Sequence, residues 1–176
     1  MTPSSDKKSL KHNVALYAMF TSLALVASYI ESIIPIPYPV YGMKIGLANI
    51  VIVWALYSLG AKASALISVM RIMLAGFLFG NLYSILFSLA GAVLSLGIMI
   101  LLKKTGKFSI IGVSIGGGVC HNLGQIIAAA VLLENIRITF VFPILIVSGV
   151  IAGIAVGVLG GILFKKIKIL QTNVQV

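Results

Sequence analysis

Acidic residues are nearly missing from this chain. In 176 residues there are three, Asp6, Glu31 and Glu134. They form no pair suited to acid/base chemistry and no aspartate-rich string to hold magnesium against a diphosphate. None stands mid-span as a proton relay. There is one cysteine, Cys120, which excludes an intramolecular disulfide and a cysteine-rich metal site. No glycine-rich phosphate loop for ATP is present. Charged residues of both signs make up 9% of the chain, against about 25% in a soluble globular domain. The chain therefore carries no parts for autonomous catalysis or pumping, and nothing in it asks for a metal or cofactor.

What remains is apolar. Hydrophobic residues are 60% of the chain and the mean hydropathy is +1.17. That composition describes an all-α integral membrane protein. The net charge of +10 would suggest nucleic acid in a soluble protein. Here the cations flank apolar runs, so they read as topology and contact with lipid headgroups, with no nucleic-acid partner.

The cations cluster at alternate run ends. Lys7, Lys8 and Lys11 precede the first run, and Lys62 follows the second. Lys103, Lys104 and Lys107 follow the fourth, and Lys165, Lys166 and Lys168 the sixth. The remaining loops hold Lys44 and Arg137, and Arg71 falls inside a run. The positive-inside rule then places both termini in the cytoplasm of a cell membrane. A span needs about 20 residues. Residues 14–30, 45–61, 108–133 and 138–164 each supply one. The run 63–102 has lysines at both ends, so it turns once, at Gly80-Asn81. The prediction is a six-span, N-in/C-in bundle over residues 14–168, with cytoplasmic tails at 1–13 and 169–176. The first run is too long for a signal-peptide core and reads as a retained span.

One external connection is unusual. Pro35, Pro37, Tyr38, Pro39 and Tyr41 lie in a stretch that is apolar and aromatic yet cannot be helical. It is either a lid over something beneath it or a stiff linker. Glycine stripes mark close helix packing: Gly149, Gly153, Gly157 and Gly161 in the last span, and Gly112, Gly116, Cys120 and Gly124 in the fifth. Ala15, Ala18 and Ser22 give the first span a small-residue side able to dock a partner helix.

Polar groups inside spans are costly and read as functional by default. Their positions put Lys44, Asn49, Arg71, Asn81, His121, Asn122 and Gln125 in the outer half of the bundle. His121 and Gln125 are four apart and share a helix face. The asymmetry predicts a pocket open outside and closed below, suited to a ligand with a carboxylate, a phosphate or a polarised ring. Arg71 near the midplane needs compensation, by a ligand anion when loaded and by Asn49, His121 or Gln125 when empty. Residue by residue, plain helix-to-helix glue competes with this reading.

Three strings carry a family resemblance: Gly42-Met-Lys-Ile-Gly-Leu-Ala-Asn-Ile-Val, the segment 71–80 ending Leu-Ala-Gly-Phe-Leu-Phe-Gly, and Gly112-Val-Ser-Ile-Gly-Gly-Gly-Val-Cys-His-Asn-Leu-Gly-Gln. Over roughly 14–166 the chain resembles heptaprenyl diphosphate synthase component I, also called the Gx transporter family. That family is similar in size and topology to the substrate-binding S-components of bacterial energy-coupling factor transporters. The resemblance implies a ligand-binding subunit that takes up a small, vitamin-like solute with a membrane coupling subunit and ATPases. It implies that Lys44, Asn49, Arg71, His121, Asn122 and Gln125 line the site, that the proline loop gates it, and that Ala18 and Ser22 stand where the family's docking face lies. The alternative is a non-catalytic membrane partner in polyprenyl diphosphate or quinone synthesis, since the chain lacks the aspartates for chain elongation.

Overall fold

The computed structural model describes residues 3–34 and 46–174, with side chains for 13–34 and 46–166. The proline loop and Lys44 lie outside the described residues. The elements, in order, are α1 (Pro3–Ile33), α2 (Leu47–Ser58), α3 (Ala61–Phe79), α4 (Leu82–Thr105), α5 (Ile110–Leu132), a 3-10 turn (Ile136–Val141) and α6 (Phe142–Val174). The described residues form no strand.

Five segments are long and apolar enough to cross a membrane: Asn13–Ile33, Ala61–Phe79, Leu82–Thr105, Ile110–Leu132 and Ile136–Lys166. The second predicted span is shorter than expected. α2 has 12 residues, about 18 Å of helix against a hydrocarbon core of about 30 Å. Two glycines set its length. Gly46 precedes it at φ 86° and Gly60 follows it at φ 91°, both in the region that favours glycine. α2 is also the most enclosed helix. Ala48, Val51, Ile52, Val53, Ala55 and Leu56 are buried, as befits a helix apolar on every side. It packs against α1, α3 and α6, and its Trp54 ring sits 4.4 Å from that of Phe20.

The other turns follow their sequences. Asn81 accepts a hydrogen bond from Ser84 N at 2.8 Å, and Ser84 Oγ accepts one from Asn81 N at 3.1 Å. This capping box starts α4 where the chain was expected to turn. Gly106 ends α4 in the left-handed region, and the Ser109 side chain caps α5. Pro143 falls in the first turn of α6, where its missing N–H is harmless.

α5 is held on two sides by close approaches. A Cβ placed on Gly118 would fall 2.4 Å from Gly149 O, and one on Gly153 would fall 2.5 Å from Ile115 Cα. The α6 glycine stripe thus lies against α5. On its other side α5 meets α4, where a Cβ on Gly124 would lie 2.6 Å from Ala90 O. Both stripes therefore serve packing within the chain. On α1 the buried stripe is Phe20, Ala24, Ser28 and Glu31. Ala15, Ala18 and Ser22 are exposed on the opposite side.

Candidate functional site

All six helices contribute to one internal cavity of about 40 Å³. Its polar wall holds Glu31 from α1, Asn49 from α2, Arg71 from α3, Ser88 and Ser95 from α4, and Ser114, His121, Asn122 and Gln125 from α5. Gly149 and Gly153 of α6 complete it. Spacing explains how α5 supplies four groups. Ser114, His121 and Gln125 lie seven and four residues apart, so they share one face, and Asn122 adjoins it toward α6. Asn122 Nδ2 donates to Leu145 O at 2.7 Å and to Ser148 Oγ at 3.3 Å.

Arg71 is buried, with 5% of its surface exposed. Nη1 donates to Ser28 Oγ at 3.4 Å. The charge of Glu31 also acts on it. Its Nε is buried and has no hydrogen-bond partner among the described residues. A guanidinium this deep in a membrane costs about 2.5–3.5 kcal/mol or more, and α1 carries part of the compensation through Ser28 and Glu31. Glu31 is itself buried. It accepts a hydrogen bond from Gly46 N at the start of α2.

A second cavity of about 200 Å³ lies between α1, α3 and α4, lined by Ser28, Ser32, Gly76, Phe79 and Ser84 among others. Glu31, Arg71 and Ser88 line both cavities, so these three side chains form the partition between them. Toward the lysine-bearing ends of α3 and α4 the chain is filled. Phe20, Ala24, Ile52, Leu56, Ile67, Leu96, Met99 and Val113 form one apolar cluster there.

The structure gathers Asn49, Arg71, His121, Asn122 and Gln125 around one space, as their sequence positions suggested. Lys44 lies outside the described residues. Asn81 lines neither cavity; its exposed side chain is spent on capping α4. In the sequence Ser88 and Ser95, around Gly91-Ala92, read as small residues for helix packing, and Ser114 has no reading of its own. The signal was present: Ser88 and Ser95 are seven apart and lie on the face of α4 that meets α5. In the sequence Glu31 ends the first span, and its tie to Arg71 is the helix-glue alternative to a ligand site.

At about 40 Å³ the inner cavity has room for a few waters, far below the roughly 300–1,000 Å³ of ordinary ligand sites. It is a small cavity with polar walls. The fold and this cavity define a multi-pass, all-helical membrane protein with a buried polar chamber among its helices. The profile of the heptaprenyl diphosphate synthase component I family matches residues 20–163, and the chain belongs to that family. A search of curated proteins finds no match, and neither does a search of solved structures.

Proposed function

We propose that this protein is the solute-binding subunit of a bacterial uptake system, similar to the S-components of energy-coupling factor transporters. It sits in the cytoplasmic membrane with both termini inside, and α2 completes a sixth, partial crossing through the bundle. A small polar or anionic solute enters from outside and is held by Asn49, Arg71, His121, Asn122 and Gln125. One observation carries this reading. Four polar side chains from α2 and α5 converge with a buried arginine of α3 on one space, while the lysine-bearing end is packed shut. Helix glue alone needs no common cavity.

The exposed side of α1 with Ala15, Ala18 and Ser22 then serves as the face for a membrane coupling subunit, whose ATPases supply the work. A second reading follows from the family's description: a non-catalytic membrane partner in polyprenyl diphosphate synthesis. Affinity purification from native membranes separates the two. Recovery of a membrane coupling protein with two ATPases supports uptake. Recovery of a soluble prenyl synthase, with altered product chain length on deletion, overturns uptake in favour of the second reading.

A further inference from the structure

Resting on the solute-capture reading, we propose that Glu31 is a tethered stand-in for the ligand, and that the ligand is a monocarboxylate whose carboxylate takes the place Glu31 now holds. Three observations meet there. Glu31 is buried, with 7% of its surface exposed, and its carboxylate accepts the N–H of Gly46 at the start of α2. α2 has no side-chain cap of its own. The free N–H groups and positive dipole end at its N-terminus favour an anion, and another helix supplies one.

The second observation is Arg71. Arg71 has 5% of its surface exposed and lines both cavities. One face reaches Ser28, Glu31 supplies the balancing charge, and Nε has no hydrogen-bond partner among the described residues. A planar guanidinium offers donors on two edges and suits a second planar oxyanion.

The third observation is charge balance. Among the described residues, Arg71 is the only lysine or arginine lining either cavity, and Glu31 the only acid. Exchanging one carboxylate for another keeps the charge at Gly46 and beside Arg71 the same. A phosphate monoester or a diphosphate carries one or more negative charges beyond the single one that Glu31 now presents to Gly46 and Arg71, so it is a poorer match to the place Glu31 holds. Glu31 also has somewhere to go. It lines the adjoining cavity of about 200 Å³ as well, so rotating away from Gly46 carries its carboxylate toward the roomier space beside Ser32.

Chemical rescue tests the exchange. The purified Glu31→Ala protein, in detergent, is titrated with sodium acetate, with sodium chloride and sodium phosphate at matched ionic strength. Acetate is expected to raise its Tm by several degrees, saturably, while chloride and phosphate do not. The wild type should respond much less, because its own tethered carboxylate competes. Glu31→Ala combined with Arg71→Met should lose the acetate response. If Glu31→Ala folds poorly, Glu31→Gln keeps an acceptor for the Gly46 N–H and should also show a larger acetate shift than the wild type. Equal acetate shifts in variant and wild type, or phosphate matching acetate, overturn the proposal. Uptake assays read the capture function separately. Failed rescue with uptake intact sinks the stand-in alone, and successful rescue without uptake sinks the transport reading alone.

Discussion

Lys103 at the end of α4 donates from Nζ to the carbonyl of Leu56 at 2.6 Å, and the same ammonium lies 4.7 Å from the centre of the Tyr57 ring. The last turn of α2 leaves carbonyls without partners inside the helix, and it carries the negative dipole end. Lys103 supplies both a donor and a charge, and its stem crosses apolar surface to do so. In the sequence this lysine is one of a cluster marking the inner side. In the fold it also caps the shortest helix.

Lys103→Met should therefore destabilise the protein by about 1 kcal/mol or somewhat more, from one lost charge-assisted hydrogen bond and a weak cation–π contact. Lys104→Met, with no such partner described, should cost much less. Thermal unfolding of the two variants in detergent compares them directly.

The α5–α6 seam tolerates no side-chain growth. Gly153→Val puts a Cβ 2.5 Å from the Ile115 backbone and should cost about 1–3 kcal/mol or prevent folding. Gly97 in α4 has open space around its would-be Cβ. Gly97→Ala should be neutral or stabilise by about 0.5–1 kcal/mol. Size-exclusion profiles and Tm values for the pair check the contrast.

Two asparagines separate stability from binding. Asn81→Ala removes the α4 cap and should cost about 1 kcal/mol of stability without changing solute binding. Asn49→Ala removes a cavity wall group whose side chain caps no helix among the described residues, and should weaken binding while leaving stability within about 0.5 kcal/mol of wild type. Parallel Tm and equilibrium binding measurements suffice. The reverse pattern places the site elsewhere.

Orientation is tested by labelling in intact cells, in a Cys120→Ser background. A cysteine at Lys104 should be shielded from impermeant reagents, and one at Asn135 should react. Labelling at Lys104 with protection at Asn135 inverts the bundle.

Much of this fold was legible because its signals are local. Gly80-Asn81 turns the chain because glycine ends one helix and asparagine caps the next, and both effects act within four residues. The apolar runs locate α3, α4, α5 and α6 for the same reason. α2 was overestimated because apolar composition continues past its ends, while two glycines with positive φ stop the helix. The polar cavity was half legible. Mid-span Arg71, His121 and Gln125 announce themselves by their cost. The Glu31–Gly46 contact joins residues 15 apart in sequence, and the Lys103–Leu56 contact joins residues 47 apart. Neither leaves a periodic trace. The α5 stripe meets α4 at both Gly116 and Gly124, and Gly118, off that stripe, meets α6.

The central claim is that Arg71 holds a solute. Arg71→Met alone takes the guanidinium charge away from the buried Glu31, and breaking a buried pair from one side costs about 3–5 kcal/mol. The informative protein is therefore Arg71→Met with Glu31→Gln, which removes both charges and should unfold no earlier than the wild type. Native mass spectrometry of the two proteins, purified identically from cells grown in rich medium, is the direct measurement. The account predicts a small bound molecule released from the wild type and none from the double variant at equal folded yield. The same molecule retained by a folded double variant would contradict it.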